Sequence, residues 1–485
     1  MRWASAERWQ RTGAFWMIRK TCLLVVCVLA ASRMAWAGPE TRVADAAQRK
    51  DVAAMAALLR ERVDVNGPQA DGTTGLHWAA HWNDLAMTRS LIAVGADPSL
   101  ANRHGVTPLA LACENGSAPV IEALIDAGAN PEGSGTGEPP ILVAARTGNV
   151  DAVKTLVAHG ANVNAIEDWR GQTALMWAAA DDHAAAVHAL LESGSDVHAR
   201  SKGGFTALLF AARQGALDAV RTLLDGGAAI DDALPSGSTP LAVAISALHY
   251  EVGAYLLSRG ASVRQADKAG LVPLHVLVRA RNPGATAPLR TGKGTVDSLS
   301  LLETLLAAGA DPNARTAAVP NRPTNERAIL IDVRLNTGGA TPLLFAARGA
   351  DAEVLRLLVA AGARPDIATL EGVTPLMVAA GVGYVETSDA GANTEKELLE
   401  NVTLLLDLGV DINAASEHGQ TALHGAVYRG IDNLIQLLAS RGARLDLEDE
   451  YGRTPLLLAE QGFNNMGHYR REDQAVLLRT LYAVR

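Results

Sequence analysis

The stretch Thr73-Thr74-Gly75-Leu76-His77-Trp78-Ala79-Ala80 sets a histidine beside a tryptophan, and its reading decides between a chemical site and an architectural element. Read alone, it offers an imidazole for catalysis or ligation. Read along the chain, it recurs. Thr107-Pro108-Leu109-Ala110 stands 33 residues after Thr74. Pro140-Ile141-Leu142-Val143-Ala144-Ala145, Thr173-Ala174-Leu175-Met176, Thr206-Ala207-Leu208-Leu209, Thr239-Pro240-Leu241 and Val272-Pro273-Leu274-His275 each follow at 33. The series resumes at Thr341-Pro342-Leu343 after 36 extra residues, and Thr374-Pro375-Leu376 returns to the period. Thr421-Ala422-Leu423-His424 comes after 14 extra residues, and Thr454-Pro455-Leu456 closes the series. A degenerate first copy, Thr41 to Ala47, makes twelve units.

A second motif alternates with the first: Leu-Leu-x-x-Gly-Ala-(Asp/Asn), as in Leu305-Leu306-Ala307-Ala308-Gly309-Ala310-Asp311. Each unit therefore reads as a helix, a short turn, a helix ending at Gly, and an extended hairpin. Thr caps the first helix, and Pro sits in its first turn, where no amide donor is missed. Gly past the second helix supplies positive φ. This pattern resembles the ankyrin repeat, whose helix pairs carry a T-P-L-H-x-A signature at this period. The resemblance covers residues 39–485 and implies an all-α ankyrin-repeat solenoid of about twelve helix-turn-helix units with hairpin loops. The narrower likeness is to exported bacterial ankyrin-repeat proteins, a signal peptide followed by one long array. Such an array packs neighbour on neighbour and needs polar end faces. Arg42, Asp45, Arg49 and Lys50 suit the first end, and His468, Arg470, Arg471, Glu472 and Asp473 the last.

The composition agrees. Of 485 residues, 48% are hydrophobic but only 4% aromatic, so the apolar content is mostly Ala, Leu and Val, a helix-rich profile. A net charge of −9 argues against nucleic-acid binding. Residues 1–37 read as a secretory signal: basic Arg19-Lys20, the apolar run Thr21 to Ala31, and the A-x-A site Ala35-Trp36-Ala37. Met17 is an alternative start, because residues 17–37 already form a complete signal. Removing residues 1–37 takes away six basic residues and one acid and leaves 38–485 as the array, with a balance of −14. It also leaves Cys113 as the lone cysteine, so no internal disulfide is expected in an oxidising compartment. The expected location is periplasmic or secreted, with no membrane insertion after cleavage, no nucleic acid, and a monomer bound to a protein partner.

Motifs for chemistry are missing. There is no H-E-x-x-H, C-x-x-C, G-x-S-x-G or helix-opening G-x-G-x-x-G. His77, His275 and His424 share the signature position and recur one per unit, roughly 50–60 Å apart by layer counting, so they do not converge as metal ligands must. Each is expected to hydrogen-bond the backbone of the hairpin beside it. No catalytic, cofactor or metal site is read, and no cofactor is expected.

Recognition is read from what the repeat leaves free. The ankyrin resemblance implies docking on a concave surface built by hairpin tips and by residues late in the first helix. Those late positions hold His81 and Trp82, Arg146, Arg213, Arg279, Arg348, and Tyr428 and Arg429. The arginines form a broken basic stripe on an acidic protein, a track for acidic side chains or another anionic partner. The competing reading is that each complements its helix dipole. Trp78 and Trp177 are expected between units, while Trp82 on its helix and Trp169 on a hairpin tip are expected in solvent as hot-spot candidates. Insertions at 281–297, 316–338 and 384–397 lengthen loops on units eight to ten, and residues 328–335 within the second have strand character. The function read is a non-enzymatic interaction scaffold outside the cytoplasm. The alternatives are a secreted effector mimicking interaction surfaces, or a site built by loops around Arg290, Lys293, Tyr384 and Glu386.

Overall fold

The computed structural model describes residues 41–134, 138–281, 294–317, 336–383, 394–461 and 471–484. Among them are twelve helix pairs, from Arg42–Gln48 with Val52–Arg60 in repeat 1 to Pro455–Gln461 with Glu472–Val484 in repeat 12. The described chain forms two compact bodies, residues 41–144 with 151–162, and residues 145–150 with 163–484. Within each body, first helices pack on first helices of neighbouring repeats and second helices on second. No described helix is long and apolar enough to cross a membrane.

The signature explains the helix starts. Thr107, Thr173, Thr206, Thr239 and Thr341 all sit at extended N-cap positions, and each hydroxyl accepts the amide three residues on, at 3.2–3.4 Å. Each such bond satisfies one orphan amide, and a Thr→Ala change at such a cap costs about 1 kcal/mol. The Leu two residues after the cap position turns into the core: Leu76, Leu109, Leu175, Leu208, Leu241 and Leu274 are at most 1% exposed. The small pair that follows, such as Ala211-Ala212, is wholly buried and lets adjacent first helices approach. Cys113 is buried in the same layer, and burial pushes its thiol up, away from reactivity.

One alignment is corrected. The first helix of repeat 4 begins at Pro140, so the cap position is Pro139, whose carbonyl accepts from Leu142 at 2.9 Å. Two compensating one-residue changes in the flanking hairpins hide this in the period. The second adds a residue to the tip around Trp169.

The hairpins are tight turns rather than extended ribbons. In repeat 3, Asn102 N–H bonds Val106 O and Gly105 N–H bonds Asn102 O, both at 2.9 Å. The only isolated bridge among the described residues is Ile166 with Thr173. Successive tips are tied by one amide each: Arg103 to Asp71, Lys202 to Arg170, Lys268 to Ser236, Leu370 to Gly338, Glu417 to Glu371 and Glu450 to His418, at 2.8–2.9 Å. The equivalent donor in repeat 7 is Pro235, which has no N–H, so this tie is missing between repeats 6 and 7. Pro235 instead packs on Gly204, where a Cβ would lie 2.4 Å from its Cδ.

The insertions are corrected at two edges. Arg281, the first residue of the 281–297 insertion, instead ends the helix Pro273–Arg281. Residues 395–397 are helical, because Thr394 and Glu397 form a capping box that starts Glu395–Asp407 inside the expected loop. Residues 282–293, 318–335 and 384–393 lie outside the described residues, and with them the strand reading and Arg290, Lys293, Tyr384 and Glu386. Residues 1–40, His468 and Arg470 lie outside them too. Arg42, Arg49 and Lys50 are exposed and Asp45 is half-buried at the first end, as are Glu472 and Asp473 exposed and Arg471 half-buried at the last.

Candidate interaction surface

The three signature histidines are structural, as expected. His77 Nδ1 accepts the Thr74 amide at 3.1 Å, and its Nε2 bonds Val106 O of the next hairpin at 3.0 Å. His424 repeats this with Thr421 N (3.2 Å) and Arg453 O (3.0 Å). His275 bonds Val272 N and Ala340 O, both at 3.3 Å, the second across the 316–338 insertion. An amide donor on Nδ1 and a carbonyl on Nε2 fix the neutral Nε2–H tautomer. All three rings are fully buried, and burial lowers their pKa, to about 4 for His275. Each is a staple between repeats.

His81 and Trp82 lie in the first body and are half-buried, so Trp82 is not the solvent-facing ring expected. It stacks on Trp78 at 6.0 Å, His81 meets its edge at 4.7 Å, and Lys50 Nζ sits 4.1 Å above it. A large ring one helical turn from another gains more by stacking than by exposure. Trp82 Nε1 is buried without a hydrogen-bond partner. Trp78 is half-buried and donates to Gln69 Oε1 at 3.0 Å.

The remaining candidates belong to the second body. Tyr428 is buried, 7% exposed, with its hydroxyl on Gln420 Nε2 at 3.3 Å, so it is not a surface contact. Arg429 is half-buried, and its Nη1 donates to Ala379 O at 3.2 Å, closing a carbonyl at the end of the preceding repeat's first helix. Tyr428 is therefore withdrawn from the surface, whereas Arg429 stays half-buried with one donor committed to packing. Arg146 is half-buried, with its guanidinium 5.1 Å from the Trp177 ring. Trp177 is itself half-buried, as expected for its position between repeats.

Arg213, Arg279 and Arg348 are exposed. Arg213 lies over Phe205 at 4.7 Å and Phe210 at 5.0 Å, and Arg279 over Phe345 at 5.4 Å. Neither Arg213 nor Arg279 has a carboxylate within salt-bridge distance among the described residues. Partial desolvation against the rings lowers both guanidinium pKa values, and a second arginine adds to it, Arg170 for Arg213 and Arg348 for Arg279. Asp267 opposes the shift at Arg279. Phe205, Phe210 and Phe345 are the shelves sequence reasoning missed. The signal was present in part, since Trp78, Trp177, Phe210 and Phe345 all fall four residues past the cap.

Trp169 is 76% exposed, as expected, on the tip with the added residue. Glu167 builds that tip: its carboxylate accepts the amides of Trp169 at 2.7 Å, Arg170 at 2.8 Å and Gln172 at 3.0 Å. Burial works against the charge, but those amides and the Arg170 guanidinium outweigh it and hold Glu167 below the usual carboxylate range. Arg170 lies 4.2 Å from the Trp169 ring. Among the described residues, no three His, Cys, Asp or Glu side chains converge as metal ligands would.

Comparison with known proteins places this architecture. A family model described as ankyrin repeats (three copies) matches residues 43–134, 132–201, 182–267 and 391–469, and a single ankyrin-repeat model matches 338–370. The chain belongs to the ankyrin-repeat family. Similar curated proteins include the B-cell lymphoma 3 protein homolog of Mus musculus, 33% identical over 140 residues, 27% of this ankyrin-repeat chain and 30% of that protein. The E3 ubiquitin-protein ligase KEG of Arabidopsis thaliana is 26% identical over 399 residues, 79% of this chain and 20% of that protein. Ankyrin repeat and SOCS box protein 16 of Homo sapiens is 32% identical over 146 residues, 30% and 29% of the two chains. The matches thus span less than a third of each relative's length. Among solved structures, the human ASB11 ankyrin repeat domain is 28% identical, with a TM-score of 0.43, covering 45% of this chain and 98% of that one. Ankyrin repeats imply a scaffold for protein–protein interaction.

Proposed function

We propose that this ankyrin-repeat protein is a non-enzymatic scaffold that binds a protein partner outside the cytoplasm, in a bacterial periplasm. The carrying observation is the row of exposed Arg213, Arg279 and Arg348 at equivalent helix positions, two of them leaning on rings and lacking a carboxylate. A purely dipole-complementing arginine needs no aromatic shelf. A rigid array that already holds its guanidiniums in place orders few side chains on binding, which favours affinity. Export is supported by the basic, apolar and A-x-A segments of residues 1–37.

In-cell crosslinking followed by mass spectrometry tests both parts. Wild type should capture a defined partner. Charge reversal of Arg213, Arg279 and Arg348 together should abolish capture while leaving the thermal melt in place, and unchanged capture removes the stripe from the reading. The mature chain should start at Gly38 and fractionate with the periplasm. Cytoplasmic full-length protein overturns export, and recovery from the culture supernatant favours the released effector.

A further inference from the structure

The tip of repeat 5 and the first helix of repeat 6 meet. Lys202 N–H bonds Arg170 O at 2.8 Å, which sets the two hairpin tips side by side. Phe205 follows three residues after Lys202 and forms, with Phe210, a shelf of two rings 5.0 Å apart. Arg213 lies on that shelf, close enough to Arg170 for its charge to be felt. Arg170 covers one face of Trp169, and the ring remains 76% exposed, while Ile166, three residues before it in the same hairpin, is 54% exposed. Apolar and cationic groups therefore share one surface, with Ile166 and Trp169, Arg170, Arg213 and the half-buried Phe205, and the buried Phe210 supports Arg213 from beneath.

We propose that this surface binds an extended peptide segment that alternates acidic and apolar residues, a carboxylate spanning Arg170 and Arg213 and an apolar side chain packing on Trp169. The inference deepens the scaffold reading and rests on it. Three features select this occupant. Arg213 has no carboxylate within salt-bridge distance among the described residues, and an incoming carboxylate takes the paired N–H geometry its guanidinium offers, close to the charge of Arg170. A small inorganic anion leaves Trp169 and Ile166 without an apolar contact. The chain as a whole is acidic, with a net charge of −9, so a local basic cluster steers an acidic segment to this place and repels it elsewhere. The Glu167 amide cage fixes the tip in advance, so Trp169 loses little freedom on contact, as suits an aromatic anchor.

The test uses the purified protein and a short blocked peptide alternating Glu and Leu, its Gln-for-Glu counterpart, and heparin. Binding is read by calorimetry and by tryptophan emission. The Glu peptide should bind, weaken with added salt, and be about tenfold or more tighter than the Gln peptide. Arg170→Glu with Arg213→Glu should abolish binding, Trp169→Ala should weaken it about tenfold, and Arg89→Glu with Arg103→Glu, an equal charge change on exposed residues of the other body, should leave it unchanged. Equal binding of the two peptides, retention by the double variant, or heparin binding tighter than the Glu peptide overturns the proposal. In-cell capture that is lost in the Arg213, Arg279 and Arg348 variant while neither peptide binds refutes this occupant and leaves the scaffold reading standing.

Discussion

Arg281 and Arg213 both close a first helix, two repeats apart, and the fold treats them in opposite ways. Arg281 is drawn inward: its Nε meets Asp351 at 2.6 Å, its Nη1 donates to Ser298 at 2.5 Å, and its Nη2 reaches Glu353 at 3.3 Å. Its side chain is 13% exposed and that of Asp351 is 5%. Asp351 also caps the second helix of repeat 9 through the Val354 amide. Arg213 is set on two rings and faces solvent. The same residue type, near the same helix end, is a girder in one repeat and an offered group in the other. Helix-dipole complementarity applies to both and so explains neither difference. What separates them is whether the next repeat supplies a carboxylate or leaves the place to a ring.

The largest break in that comparison comes from Arg281→Ala. It leaves the Asp351 carboxylate buried without its cation and should cost about 3–5 kcal/mol in urea unfolding. In a repeat array the damage is local, so amide exchange should rise first in Ala352–Ala360. An unchanged unfolding curve makes Arg281 as dispensable as a surface arginine.

His275→Ala should come next, at about 2–4 kcal/mol, because a buried amide and a carbonyl lose their partner. The same residue gives a pH test. Folded His275 takes its proton only near pH 4, whereas the unfolded side chain does so near 6.5. The unfolded state therefore binds more protons between these values, and stability present above pH 6.5 falls as pH drops toward 4, by about 2–3 kcal/mol. His275→Gln should flatten that part of the stability–pH curve, and a curve of unchanged slope would reject the staple as its source.

Gly204→Ala sharpens the outward region. At φ 79 the residue pays left-handed strain, and its Cβ would press on Pro235 at 2.4 Å, whereas Gly227, at φ 90, has nothing within 4 Å. Gly204→Ala should therefore exceed Gly227→Ala by about 1–2 kcal/mol in the same unfolding assay. Equal costs would mean that the tip gives way freely. The smallest effect belongs to Arg213→Ala, less than about 1 kcal/mol, since only ring stacking is lost. A loss as large as that of Arg281→Ala would make Arg213 structural and end the comparison.

The fold was legible because its determinants are local. A Thr cap, a Pro in the first turn, an inward Leu and a positive-φ Gly act within a few residues, so the period carried twelve helix pairs into view. The slip at Pro139 escaped because a shortened hairpin and a lengthened one cancel in the count. The candidate site was only half legible. Trp169 and the three exposed arginines could be picked as positions the repeat leaves open. Tyr428 and Arg429 occupy comparable positions yet are claimed by packing and by the Ala379 carbonyl, which nothing in their own repeat announces. Arg170 and Phe205 escaped because each gains meaning from a ring or guanidinium that the folded tip sets against it, Trp169 for Arg170 and Arg213 for Phe205, which spacing along the chain does not show.

The sequence by itself determined the repeat, its helix caps, its buried leucines and the neutral, structural histidines, because these follow from short-range hydrogen bonding and from the spacing that turns a side chain inward. Only the tertiary structure decided which arginine is spent on a buried carboxylate, which lies on a ring, and which tryptophan reaches solvent. The first outcome depends on what the adjacent repeat places a few ångströms away, and the others on how the folded tip and helix set side chains of one repeat against each other, which spacing along the chain does not record.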